Sequence, residues 1–120
     1  MANSIIDAAT SASERWKIFF NSGNAAGCAS CYEENAKMVA TPFGEFNGRD
    51  AIEAFWSKII EDGFADVKYS DVLVKQIDDN SAIITANWSM NKASGVITNE
   101  LWVLQSDGTA KLREDHFAAT

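Results

Sequence analysis

The sequence predicts an α+β domain in which three helices pack on a curved antiparallel sheet and leave an apolar pocket between them. Three observations predict it. Apolar residues recur at helical spacing through roughly the first half of the chain. The period then changes to strand-like alternation. Turn signals such as Asp78-Asp79-Asn80 and Asp107-Gly108 separate the alternating stretches. Helices first and a meander after is an α+β plan, and 120 residues suit one domain over 1–120.

Residues 4–21 form the first predicted helix. Ile5, Ala9, Ala12, Trp16 and Phe19 fall on one stripe, and Gly23 suits a left-handed C-terminal position. A shorter helix spans residues 24–33, with Asn24 as its cap and Ala25, Cys28, Cys31 and Tyr32 on its inner side. Residues 37–41 read as a short strand, and Pro42-Phe43-Gly44 as a turn. The third helix covers 48–62, with Asn47 as N-cap, Asp50 as a capping-box acid and Gly63 as its stop. Ile52, Phe55, Trp56, Ile59 and Ile60 give it a wide apolar face.

Residues 67–77 are the first strand of the meander. In 81–91, Ala82, Ile84, Ala86, Trp88 and Met90 alternate with polar residues, so one face of the sheet is apolar and needs covering by helices. Residues 96–105 and 110–118 complete the four-strand meander.

Composition excludes several classes. The formal net charge is -7 and basic residues do not cluster, which argues against nucleic acid. No apolar run is long enough to span a membrane. The N-terminus lacks the basic and apolar regions of a secretory signal, so the expected location is cytoplasmic. Cys28 and Cys31 have redox-like spacing but lie on one helical face, and His116 is the only histidine. A zinc site would need a second pair of ligands. The thiols are read as buried and apolar-like, with no metal and no cofactor expected.

The order of elements and several motifs resemble the nuclear transport factor 2-like superfamily, in its SnoaL-like and ketosteroid-isomerase-like branch. The motifs are Gly23-Asn24, Tyr32-Glu33-Glu34-Asn35-Ala36, Pro42-Phe43-Gly44 and Asp107-Gly108. The stretch Asn47-Gly48-Arg49-Asp50-Ala51-Ile52-Glu53-Ala54-Phe55-Trp56 is the most specific. The resemblance implies a single SnoaL-like domain with a cone-shaped, cystatin-like α+β barrel fold, a pocket at the open end and commonly a homodimer. It does not imply one activity. The isomerase's general base corresponds to Thr41 here, its oxyanion-hole tyrosine to Trp16, and its protonated aspartate to Glu100. With one of three roles retaining a carboxyl group, the pattern departs from steroid isomerisation.

A two-residue loop at Asp107-Gly108 would place Glu100 opposite Asp115, Trp102 opposite Arg113 and Thr98 opposite Phe117. Glu100, Arg113 and Asp115 would then converge in a site walled by Trp16, Phe55, Trp56, Trp88, Met90, Trp102 and Phe117, with Thr98 on the same face. A three-residue loop would bring Glu114 and His116 inward instead. In the first register His116 faces out, onto the sheet face expected to form the dimer.

Two carboxyl groups in such a pocket have raised pKa values and suit acid–base work. A Glu100–Arg113–Asp115 ion network closing the pocket floor is the structural alternative. The functional expectation is a domain binding a small apolar or aromatic molecule. As an enzyme it would be a cofactor-free isomerase, cyclase or hydrolase. Glu100 and Asp115 would handle protons, Arg113 would orient an oxygen, and Trp16 and Thr41 would hydrogen-bond the ligand. A non-catalytic ligand-binding, oligomerisation or scaffolding domain is the rival.

Overall fold

The structure, a computed structural model, describes residues 4–120. The reading of the extreme N-terminus falls largely on residues 1–3, outside the described part. Helix α1 runs Ile5–Asn21, capped by the Ser4 hydroxyl, which accepts from the Asp7 N–H at 3.1 Å. Its buried stripe ends on Trp16 and Phe20, with Phe19 only partly buried. Gly23 closes the helix at φ 75°. Helix α2 is Ala25–Ser30, with Asn24 Oδ1 accepting from the Gly27 N–H at 2.8 Å, as expected of a cap.

Strand β1 begins at Tyr32 and runs to Thr41, so Tyr32 and Glu33 belong to a strand and not to the second helix. A short strand, β2 at Gly44–Asn47, pairs back on β1. Asn47 ends that strand and its side chain donates to Glu45, so it does not cap the third helix. Helix α3, Arg49–Glu61, starts after Gly48 with no side-chain cap. Its inner face carries Ile52 and Trp56, with Phe55, Ile59 and Ile60 packed beside them.

Strands β3 (Lys68–Asp78), β4 (Ser81–Ser89), β5 (Ser94–Leu104) and β6 (Ala110–Ala119) form the expected meander. Among the described residues the sheet has six strands in the order β2-β1-β6-β5-β4-β3. It does not close into a barrel, because β2 and β3 are free edges. It is not wholly antiparallel either, since β1 pairs with β6 in parallel. The three helices cover the face that buries Met38, Ala82, Ile84, Ala86, Ile97, Trp102 and Leu112.

Two β-bulges decide which side chains of β5 and β6 enter that face. The β5–β6 loop has three residues, Ser106 to Gly108. The Gln105 N–H donates to Thr109 O at 2.7 Å, and Gly108 turns the chain at φ 86°. From this loop Trp102 pairs with Leu112. Continued unbroken, that register would set Glu114 opposite Glu100. Arg113 is instead an extra residue: Leu101 pairs with Glu114, and Glu100 with Asp115. Thr98 is the matching extra residue on β5, so Ile97 pairs with Phe117. The expected loop length was therefore wrong. The expected opposition of Glu100 and Asp115 holds because the bulge at Arg113 reverses the phase the longer loop imposes.

Candidate functional site

The site lies at the centre of the covered face, where β5 and β6 supply the two carboxyl groups. Glu100 and Asp115 are 5% and 3% exposed. They line an inner cavity of about 30 Å³ together with Trp16 from α1, Trp56 from α3, and Val67, Tyr69, Trp88, Met90, Ile97 and Phe117.

Hydrogen bonds fix the carboxyl groups from one side each. The Trp102 indole N–H donates to Glu100 Oε1 at 3.2 Å. The Tyr32 hydroxyl donates to Asp115 Oδ2 at 2.6 Å and accepts from the Trp56 indole N–H at 3.2 Å. Asp115 Oδ1 has no hydrogen-bond partner among the described residues. Neither carboxyl group forms a salt bridge among the described residues.

Burial raises both acids. The Asp115 carboxyl moves from 3.8 to about 6, with the Tyr32 hydrogen bond opposing the rise. Burial, and then the charge of Asp115, push Glu100 well above its usual 4.5. Two like charges this close cannot both form cheaply, so the proton stays on one of them. At neutral pH the pair therefore shares one proton between its two carboxyl groups. One is poised to accept a proton and the other to donate one.

Tyr69 adds a phenol to the same cavity. Burial first, then the nearby charges of Glu100 and Asp115, raise its pKa well above 10, so it stays neutral. The Lys17 ammonium sits 4.7 Å over its ring.

Several expected site residues lie elsewhere. Arg113 points away from the cavity because it is the bulge residue, and its guanidinium pairs with Glu33 at 2.7 Å. The Glu100–Arg113–Asp115 network does not form. Thr98 is the bulge residue of β5, exposed, with its hydroxyl donating to His116 O at 3.3 Å. Thr41 is exposed at the end of β1. Trp102 is 1% exposed and holds Glu100 without lining the cavity. Phe55 lines a neighbouring outer cavity of about 120 Å³ that also touches Phe43, Ile59, Phe64 and Lys92. Trp56, Trp88, Met90 and Phe117 border both cavities. His116 stays off the inner cavity, with Nε2 2.9 Å from Glu114. Cys28 and Cys31 are buried, and desolvation raises Cys28 to about 12, the environment of an inert thiol.

The two tyrosines of the chain both belong to the site, and sequence reasoning missed both. Tyr32 had been placed on a helix, although it shares the even-numbered phase of buried Ala36, Met38 and Ala40. Tyr69 shares the phase of buried Val67, the signal that points it inward.

Residues 14–113 match the sequence profile of the SnoaL-like domain. The chain belongs to the SnoaL-like domain family. No curated protein matches the sequence. Among solved structures it resembles a candidate scytalone dehydratase from Novosphingobium aromaticivorans: TM-score 0.79, 15% identity, 96% of this chain and 83% of that one. A ketosteroid isomerase-like protein from Erwinia carotovora atroseptica matches at TM-score 0.78 and 12% identity, over 94% of both chains. An NTF2-like protein with a cystatin-like fold, again from N. aromaticivorans, matches at TM-score 0.76 and 13% identity, over 94% and 80%. At these identities the likeness is one of fold, the cystatin-like α+β cone. Among the described residues no helix is long and apolar enough to cross a membrane.

Proposed function

We propose that residues 1–120 form one SnoaL-like domain that is a cofactor-free acid–base enzyme acting on a small apolar or aromatic molecule. The observation that supports this is the buried Glu100–Asp115 pair, neither member of which forms a salt bridge among the described residues. A structural ion pair would be neutralised by an arginine or lysine, and the arginine nearest in sequence is engaged outside. Asp115 serves as the base, and Glu100, held by Trp102, as the acid. Trp16, Trp56, Trp88, Met90 and Phe117 contact the ligand. Proton removal at one carbon and return at another, as in an isomerisation, uses both groups, as does loss of water from a hydroxylated ring.

The test is turnover or solvent deuterium exchange on ring ketones and alcohols. Glu100→Gln and Asp115→Asn should keep the fold by circular dichroism and lose at least about a hundredfold in rate. Unchanged rates would overturn the assignment.

A non-catalytic ligand-binding domain is the second reading. The inner cavity favours it, since about 30 Å³ is mostly filled by the protein's own side chains. Ligand binding with no exchange in the wild type would select it.

For assembly we read the outer sheet face as the homodimer surface. Ile83 pairs with Leu101 there, and both keep partial exposure on the face away from the helices. The acidic chain is placed in the cytoplasm on this reading.

A further inference from the structure

Three residues that line the inner cavity each carry a buried polar atom with no hydrogen-bond partner among the described residues. The atoms are Trp16 Nε1, Trp88 Nε1 and Asp115 Oδ1, and all three residues line this cavity. Their side chains belong to residues only 6%, 8% and 3% exposed. A fourth such atom, Asn99 Oδ1, belongs to a residue that does not line it. An unpaired buried donor costs about 1–3 kcal/mol, and folded proteins carry few of them. Two such donors on one small cavity, beside a proton acceptor, describe the missing partner. It brings lone pairs for two indole N–H groups.

Size narrows the partner further. The inner cavity, at about 30 Å³, holds one or two waters. The outer one, about 120 Å³, is walled by rings and methylenes, with Lys92 at its rim. Phe43, 58% exposed, carries it to the surface. Four side chains separate the two spaces. One of them, Met90, is unbranched and turns easily. An apolar cavity of about 150 Å³ accepts a benzene ring. The two spaces, about 30 and 120 Å³ on either side of Met90 and Phe117, together match the volume of one ring and not of a fused system.

We infer that the site takes a compact single-ring carbonyl compound, its ring in the outer cavity and its oxygen accepting from the indole N–H groups of Trp16 and Trp88. This rests on the acid–base reading only in placing the carbon beside the carbonyl near Asp115.

Cyclohexenone, cyclohexene and the three-ring ketone anthrone are suitable probes. Binding is followed by the indole N–H signals in nitrogen-15 NMR spectra, with Trp16→Phe and Trp88→Phe assigning the two signals. Cyclohexenone should move both signals and bind about tenfold more tightly than cyclohexene, the increment expected of two hydrogen bonds. Either variant should narrow that gap. Anthrone should not bind. Equal binding of cyclohexene, a cyclohexenone complex that leaves both indole signals in place, anthrone binding, or no binding of cyclohexenone at millimolar concentration would each overturn the inference.

Deuterium exchange beside the carbonyl separates the two proposals. If the oxygen preference holds without accelerated exchange, the acid–base reading fails and this inference stands. If exchange is accelerated while cyclohexene binds equally well, this inference fails and the acid–base reading stands.

Discussion

The Tyr32 hydroxyl donates to Asp115 Oδ2 across 2.6 Å, joining the first residue of β1 to the middle of β6. It is the one hydrogen bond to the buried Asp115 carboxyl group among the described residues, it favours the ionised form, and Tyr32 is itself oriented by the Trp56 indole. The two strands run parallel, with Met38 beside Asp115 and Tyr32 beside Leu112. The Asp115 carboxyl group is therefore positioned by a residue 83 places earlier in the chain.

Replacing Tyr32 by Phe removes that donor and leaves Asp115 with no hydrogen bond. The Asp115 midpoint should rise above about 6, since the bond acts to lower it. Stability should fall by about 1–3 kcal/mol, because the Trp56 N–H also loses its acceptor. Carboxyl carbon-13 NMR and urea unfolding measure the two effects. An unmoved midpoint would mean that the hydroxyl does not engage the carboxylate.

Stability should decline as pH rises through the window set by Asp115. Its unfolded value is 3.8 and its folded value about 6. Between them the folded protein retains a proton that the unfolded chain has released. Stability is thus complete below the lower value and falls as pH climbs toward the upper one. For Asp115 the loss by neutral pH is about 3 kcal/mol. Glu100, raised further, extends the decline upward. Repulsion from the net charge of -7 has the same sign, so the comparison is with Asp115→Asn. Unfolding free energies of the two proteins should converge at acid pH and separate above about pH 5. Parallel curves would refute the shift.

Gly95 lets Trp88 lie against the β5–β6 floor. A methyl group added there would collide with Ala118 O and come within 2.6 Å of the Trp88 ring. Gly95→Ala should cost about 1–3 kcal/mol by overpacking. It should also alter Trp88 fluorescence, because Trp88 must move into one of the cavities it borders. A variant with wild-type stability and fluorescence would contradict this packing.

The helices were legible because each carries one long apolar stripe, as Ile5, Ala12 and Trp16 do on α1. The meander was legible from alternation, clearest from Ala82 to Trp88. The start of β1 was not, since Glu33, Glu34 and Asn35 interrupt its alternation and the pairing shifts register after Tyr32. The parallel pairing of β1 with β6 joins segments far apart in sequence, and no local pattern announces it. The Glu100–Asp115 opposition was reached through a loop one residue too short, an error that the bulge at Arg113 offsets. The same bulge is why Arg113 was wrongly placed in the cavity, and the one at Thr98 misplaced that residue too. A bulge leaves little trace in one sequence. Here the trace is the spacing of Leu112 and Asp115, three apart on one buried face.

The protonation of the two acids is the most direct point of test. Carbon-13 titration of Asp115 and Glu100 should give a midpoint near 6 for Asp115 and a higher one for Glu100. Arg113→Ala should leave both in place, because its guanidinium binds Glu33 outside the cavity. Midpoints near the ordinary carboxylate value of about 4 for both groups, or a large shift on removing Arg113, would contradict a buried carboxyl pair that forms no salt bridge among the described residues.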